Sequence, residues 1–346
     1  MKGVEWMELE SLIEKKCMQL LNQALELEAS DLHMLPTREH YQLFFRKYNR
    51  LMAAGEIPLT LGEKMISHFK YQSVLDISEK RRPQSGSFEY ITEQKQIACR
   101  VSTLPSSTMK ESMVVRLMIQ NVAKPLQDIV LQIEAAKHLE QIVQAKQGIV
   151  LFCGPTGCGK STTMYALLQY CSKQLSKHVI SLEDPVESQQ QNMLQIQVNE
   201  RSGVTYSAGL KAILRHSPDV IMIGEIRDQE TAKIAIEAAL TGHLVISTIH
   251  AKNSFGCLHR LLDLGISKDE LEQTILSITT QQLVVENTEQ QPLKALYEFL
   301  DAAHLQDAFD ALKQQQNYQL PLQETIRYKM MRGIEDGGIL PNVLTT

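Results

Sequence analysis

Ile149-Val150-Leu151-Phe152-Cys153-Gly154-Pro155-Thr156-Gly157-Cys158-Gly159-Lys160-Ser161 carries an uninterrupted apolar run straight into G-x-x-x-x-G-K-S. The run reads as a buried strand, and Thr162-Thr163-Met164-Tyr165-Ala166-Leu167-Leu168 behind it as a helix. Between the two, glycines let the backbone curl so that successive N–H groups face an anion. Lys160 then reaches the β- and γ-phosphates of a nucleotide, the Ser161 hydroxyl suits Mg²⁺, and the helix start adds its positive dipole end. Gly154, Pro155, Thr156, Gly157, Cys158, Gly159, Lys160, Ser161 and Thr162 are therefore the candidate nucleotide-binding residues, with ATP and Mg²⁺ as the implied cofactors. Cys158 reads as a small loop filler, with a reactive thiol as the alternative.

Working outward, helix and strand alternate from Asp128 onward. A helix is expected to end at Gly148, and further strands are expected at His178–Leu182, Val220–Ile223 and Leu244–Ile249. That alternation favours a parallel sheet, where ligands collect beyond the carboxyl ends of the strands. The amino-terminal part differs. Leu9, Leu12, Ile13, Cys17, Leu20, Leu21 and Ala24 fall at helical spacing over residues 7–29, with Glu and Lys between them, as in a helix packed on a domain rather than a membrane. Tyr41–Arg46 reads as a strand, Thr60–Glu63 as a capping box opening a helix to about Tyr71, and Ser87–Ile91, Ile97–Val101 and Val114–Ile119 as strands. The expected organisation is an α+β domain over 1–120, a linker at 121–127 containing Pro125, and an α/β domain over 128–346 with a helical carboxyl-terminal region.

Composition narrows the function. A chain of 346 residues has room for two cores, and 43% hydrophobic with 22% charged residues is globular usage. No run of eighteen apolar residues is present, so no spanning helix is expected. A nucleic-acid translocase needs a basic channel with stacking aromatics; a net charge of -5 and 5% aromatics argue against one. The six cysteines never fall in C-x-x-C spacing and read as reduced thiols of a cytosolic protein. Lys80-Arg81-Arg82 reads as a solvated turn.

Three segments beyond the phosphate loop carry candidate chemistry. Ser181-Leu182-Glu183-Asp184-Pro185-Val186-Glu187 puts carboxylates at a strand end, suited to Mg²⁺ directly or through water; alone it fits a solvated acidic turn equally. With Ser161, residues Glu183, Asp184 and Glu187 form the candidate metal set. Gly224-Glu225-Ile226-Arg227-Asp228 ends an aliphatic strand on a carboxylate, which assigns Glu225 to polarising the attacking water and leaves Asp228 to cap the next helix. His250 falls at the carboxyl end of the last expected strand, placed to sense a γ-phosphate or to hydrogen-bond Glu225. His243, at the opposite end, reads as structural, and the spacing of the two does not match a zinc pattern.

Together these segments resemble the secretion ATPase superfamily, in its type II secretion and type IV pilus assembly branch. Ala29-Ser30-Asp31-Leu32-His33-Met34-Leu35-Pro36 resembles that branch's A-S-D-I-H-I-E-P, and Arg100-Val101-Ser102-Thr103-Leu104-Pro105 matches its R-V-S-T-L-P. The resemblance covers about residues 10–300 and implies a RecA-like P-loop ATPase domain with a parallel-rich sheet, preceded by a smaller α+β, PAS-like domain. It implies a homohexamer, peripheral at the cytoplasmic face of the membrane, that drives a polytopic platform protein and, indirectly, pilin-like subunits, with no direct nucleic-acid partner. It further implies that Arg100 and Arg116 approach the ATP as arginine fingers do. Two departures stand out. The family's P-Q-D-G-R appears as Pro83-Gln84-Ser85-Gly86-Ser87, lacking one arginine, and Val285–Pro292, where a cysteine-ligated zinc insert is usual, has no cysteine, so no zinc is expected. The compact form resembles the competence pseudopilus ATPases of Gram-positive DNA-uptake systems. The alternatives are a type II secretion or pilus-retraction ATPase, a translocase, or a module that holds ATP without turning it over.

Overall fold

The computed structural model describes residues 2–47, 50–92, 96–107, 110–119 and 123–341. The chain divides into two compact units, Met1–Asn121 and Val122–Thr346. The expected end of the first domain at Gln120 and the first linker residues, 121 and 122, lie outside the described residues.

Unit 1 contains α1 (Lys2–Glu26), β1 (Asp31–Pro36), β2 (His40–Lys47), β3 (Arg50–Pro58), α2 (Leu59–Gln72), β4 (Gln84–Ile91), β5 (Gln96–Pro105) and β6 (Glu111–Ile119). The strands form one antiparallel sheet in the order β3-β2-β1-β6-β5-β4. Period-2 alternation decides its faces. Leu32 and Met34, Leu43 and Phe45, Cys99 and Val101, Met113 and Val115 point into a core shared with Cys17, Leu21 and Ala24 of α1 and Met65, Ile66 and Phe69 of α2. Two expectations need correction here. Helix α2 starts at Leu59 with Pro58 as its N-cap and no side-chain cap, so Thr60 lies in the first turn and the capping box does not form. Strands β1, six residues long, and β3, largely exposed, were not expected.

A buried ion pair ties α2 to β6. Lys70, with no exposed surface, sets Nζ 2.8 Å from Glu111 Oε1 and donates to the Glu79 carbonyl at 2.6 Å. Lys70→Met is expected to cost about 3–5 kcal/mol, because it strands a desolvated carboxylate. A lowered urea midpoint, largely recovered in Lys70→Met/Glu111→Leu, is the measurement that checks it.

Unit 2 follows with α3 (Leu126–Ile129), α4 (Ile133–Ile142), β7 (Gly148–Cys153), α5 (Lys160–Lys173), β8 (Val179–Glu183), β9 (Leu194–Gln197), α6 (Tyr206–Ile213), β10 (Val220–Ile223), α7 (Gln229–Leu240), β11 (Leu244–Thr248), α8 (Ser254–Asp263), α9 (Lys268–Thr274), β12 (Ile275–Val285), β13 (Leu293–Asp301), α10 (Ala302–Lys313) and α11 (Ile326–Glu335). The sheet order is β13-β12-β7-β11-β10-β8-β9, and every pairing is parallel except that of β12 with β13. Ile149, Leu151 and Cys153 face one core with α6–α10, while Val150 and Phe152 face the other with α3, α4 and α5. Strand β7 is thus buried on both faces, which is why its sequence is apolar without alternation. From β7 the chain runs through α5 to β8, across β11 and β10, whereas β12 later joins the opposite side. The phosphate-loop strand therefore sits at the switch point of the sheet. The helix expected to end at Gly148 stops at Ile142, because Gly148 already belongs to β7. Strands β9, β12 and β13 were not expected; β12 and β13 form a hairpin whose connection is the cysteine-free segment 286–292.

Candidate functional site

Beyond Cys153 the chain turns through Gly154 at φ 139° and Gly159 at φ 86°, in the region that favours glycine. A Cβ on Gly154 would stand 2.6 Å from the Gln281 carbonyl oxygen, so close approach excludes a side chain as well. Helix α5 begins at Lys160 with Gly159 as N-cap. Lys160 Nζ donates to the carbonyls of Gly154 and Pro155, both at 2.9 Å. The Thr163 N–H donates to the Gly159 carbonyl at 3.1 Å, and Gln281 Nε2 to the Cys158 carbonyl at 2.8 Å. Among the described residues the N–H groups of Gly157 and Gly159 have no protein acceptor. The Cys158 N–H donates to the Pro155 carbonyl at 3.4 Å, so the Gly157 and Gly159 N–H groups are the ones left to face an anion. Cys158 is 6% exposed, and burial pushes its thiol up, which fits a filler rather than a reactive nucleophile. Gly154, Pro155 and Thr156 border a cavity of about 920 Å³ that also touches His250 and the α11 residues Met330 and Met331.

The carboxyl ends of β8, β10 and β11 bring the acids and the histidine to the same edge. Glu225 follows β10; its Oε1 accepts from Arg227, and its Oε2 lies 3.4 Å from His250 Nε2, the contact the sequence suggested. The hydrogen bond from Arg227 outweighs burial and holds the Glu225 carboxyl below the usual glutamate range. Strand β11 fixes the backbone beneath it: Ser247 Oγ donates to the Ile223 carbonyl at 2.8 Å, and Thr248 Oγ1 to that of Gly224 at 2.7 Å. A Cβ on Gly224 would meet the Tyr206 hydroxyl at 3.1 Å, so the tyrosine crowds this position.

The acidic segment divides by environment. Glu183 is 3% exposed and accepts from the Tyr165 hydroxyl, from Ser181 Oγ at 2.5 Å and from Gln195 Nε2 at 3.1 Å. Both its oxygens are taken by protein donors, and burial pushes its carboxyl up. Within the metal set read from the sequence, this residue ties β8 to α5. Asp184 and Glu187 are exposed, and with Ser161, Tyr206 and Glu225 they line a small cavity of about 70 Å³. Among the described residues no three His, Cys, Asp or Glu side chains stand grouped to hold a metal by themselves. The donors present, a hydroxyl and carboxylates beside a phosphate loop, fit a hard, largely hydrated cation such as Mg²⁺.

Other assignments fall where the spacing placed them. Asp228 caps α7, accepting from the Thr231 N–H at 2.8 Å. His243 Nδ1 lies 3.0 Å from the Ala238 carbonyl, at the far end of β11. All six cysteines are free and buried.

Arg100 and Arg116 belong to unit 1 and share the sheet face opposite its core. Cross-strand register sets Arg46, Asp31, Arg116, Arg100 and Ser87 in one row. Arg116 Nε donates to Asp31 Oδ1 at 2.9 Å, leaving a guanidinium side chain 62% exposed. Burial pushes Asp31 up, but hydrogen bonds from Ser30 and Arg116 outweigh it and hold the carboxyl below its ordinary range. Sequence reasoning missed Asp31, Tyr165, Tyr206, Arg227 and Gln281 as site residues. Of these Arg227 had a signal, two residues from Glu225.

Comparison with known proteins agrees with this geometry. A family model described as Type II/IV secretion system protein matches residues 7–319. Competence protein ComGA of Bacillus subtilis (strain 168) is 38% identical over 346 residues, covering 95% of this chain and 96% of that protein. Competence protein ComGA of Halalkalibacterium halodurans is 44% identical over 273 residues, 79% of this chain and 78% of that one. The crystal structure of the pilus retraction motor PilT with bound ADP superposes with a TM-score of 0.74 at 24% identity, covering 93% of both chains, a likeness of fold.

Proposed function

The chain belongs to the family of type II/IV secretion system proteins, and on that premise we propose that it is a Mg-dependent ATPase motor for assembly of a competence pseudopilus or type IV pilus-like filament serving DNA uptake. The observation that carries this is the meeting of the phosphate loop, Asp184, Glu225 and His250 at the carboxyl ends of β7, β8, β10 and β11. Lys160 neutralises the β- and γ-phosphates, and the loop N–H groups hold them in line. Glu225, kept ionised by Arg227, orients a water for attack on the γ-phosphate, with His250 Nε2 3.4 Å from its other oxygen. Ser161, with Asp184 and Glu187 through water, would hold Mg²⁺, which supplies charge neutralisation of the phosphates when bound.

The motor acts as a homohexamer at the cytoplasmic face of the membrane, working on a polytopic platform protein and through it on pilin-like subunits. Among the described residues no helix is long and apolar enough to cross a membrane, which fits peripheral attachment. Phosphate release from ATP by the purified protein, with and without Mg²⁺, tests the core of this proposal. Tight binding without turnover would leave a nucleotide-holding module, and stimulation by DNA would point to a translocase.

From the family resemblance we further propose that Arg100 and Arg116 act as charges that stabilise the transferring phosphoryl group. Arg100 and Arg116 stand directly opposite one another on that face, with Asp31 bonded to Arg116 in the same row. Arg100→Ala and Arg116→Ala are each expected to lower ATPase activity about 10-fold or more while nucleotide affinity changes less. Activity per chain is expected to rise with protein concentration as rings form. Equal specific activity in monomer and hexamer fractions, with both variants near wild type, would remove the arginines from the mechanism.

A further inference from the structure

We infer that Gln281 is a positioning residue for nucleotide binding, holding the Cys158–Gly159 peptide so that the Gly159 N–H faces the phosphates; this rests on the proposal that the loop binds ATP. Strand β12 pairs with β7 as far as Thr280 opposite Cys153, then continues to Val285 alongside the phosphate loop. Gln281 is the first residue of that overrun. Its Nε2 donates to the Cys158 carbonyl at 2.8 Å, its backbone oxygen faces Gly154, and Nε2 lies 3.0 Å from the place a Cβ on Gly159 would take.

In a trans peptide the C=O and the following N–H point in opposite directions. Fixing the Cys158 carbonyl toward β12 therefore turns the Gly159 N–H the other way, into the loop. Gly159, at φ 86°, has no Cβ to restrict rotation of that peptide, so a bond from outside the loop serves to fix its orientation. The burial of Gln281 argues against a packing role alone. Gln281 is 1% exposed, and among the described residues its Oε1 is buried with no hydrogen-bond partner. An apolar residue would fill the same space without that penalty, so the amide is accounted for by the one bond it makes.

Gln281→Met keeps length and volume but removes the donor. It is expected to weaken ADP binding and to raise the KM for ATP by about tenfold, with kcat falling less than about threefold, because the loop amide serves bound nucleotide and transition state alike. The melting temperature of the nucleotide-free protein should change little, whereas the stabilisation by added ADP should shrink. Thr279→Val, a comparably buried change on the same strand, should leave KM unchanged. If Gln281→Met does not fold, Gln281→Asn, whose amide falls one methylene short, tests the same bond and should show the same direction. Wild-type protein that binds no ADP would overturn the ATPase proposal itself. Wild-type binding with a folded Gln281 variant whose KM and ADP affinity stay within twofold would overturn only the role of Gln281.

Discussion

Glu225→Gln is expected to lower ATP turnover by about 10²–10³-fold while nucleotide affinity stays near wild type, the scale on which positioned general bases act. The substitution keeps the shape of the side chain and one acceptor oxygen. It removes the charge that Arg227 holds at Oε1 and that His250 approaches at Oε2. Because Arg227 keeps the carboxyl below the usual glutamate range, Glu225 stays ionised as pH falls toward that range. Activity should therefore show no acid limb from this residue above about pH 5. Single-turnover phosphate release beside equilibrium binding of a fluorescent ATP analogue separates the two quantities, and undiminished turnover would remove Glu225 from the role.

Lys160→Ala is expected to act at the earlier step, weakening ATP and ADP binding by about 10²-fold and taking hydrolysis with it. A charge-assisted hydrogen bond contributes about 1.5–3 kcal/mol, and the lysine is placed to make such bonds to two phosphates. The variant should fold, because the bonds lost in the free protein, to the carbonyls of Gly154 and Pro155, are made at a solvent-accessible loop where water replaces them. Calorimetric titration with ADP, alongside the melting curve of the free protein, measures both. Binding within threefold of wild type would mean that the loop N–H groups hold the phosphates without the lysine.

The phosphate loop and the strands behind Glu225 and His250 were legible because each is a short aliphatic run, buried on both faces and bounded by polar turns. Strand β12 was not. Ser277, Thr279, Thr280, Gln281 and Gln282 lace it with polar groups, and its buried positions hold Ser277, Thr279 and Gln281, so neither an apolar run nor a clean alternation marks it. The candidate site divides the same way. Residues that act from their own strand end, such as Lys160, Glu225 and His250, follow from local order. Gln281, 123 residues from Cys158, and Tyr165, 18 residues from Glu183, act through contacts that only the packed sheet creates. The acidic segment shows why types alone mislead: Glu183, Asp184 and Glu187 are alike in sequence, yet one is sealed among donors and two are open.

The two carbonyls that hold Lys160 in the free protein make the loop its own competitor. An arriving nucleotide does not add bonds to an idle ammonium; it exchanges them, displacing Gly154 and Pro155 from Nζ. On departure the same oxygens stand ready to recapture the lysine. In the proposed ATPase that exchange would reduce the net gain from each lysine–phosphate contact and so favour release of spent nucleotide.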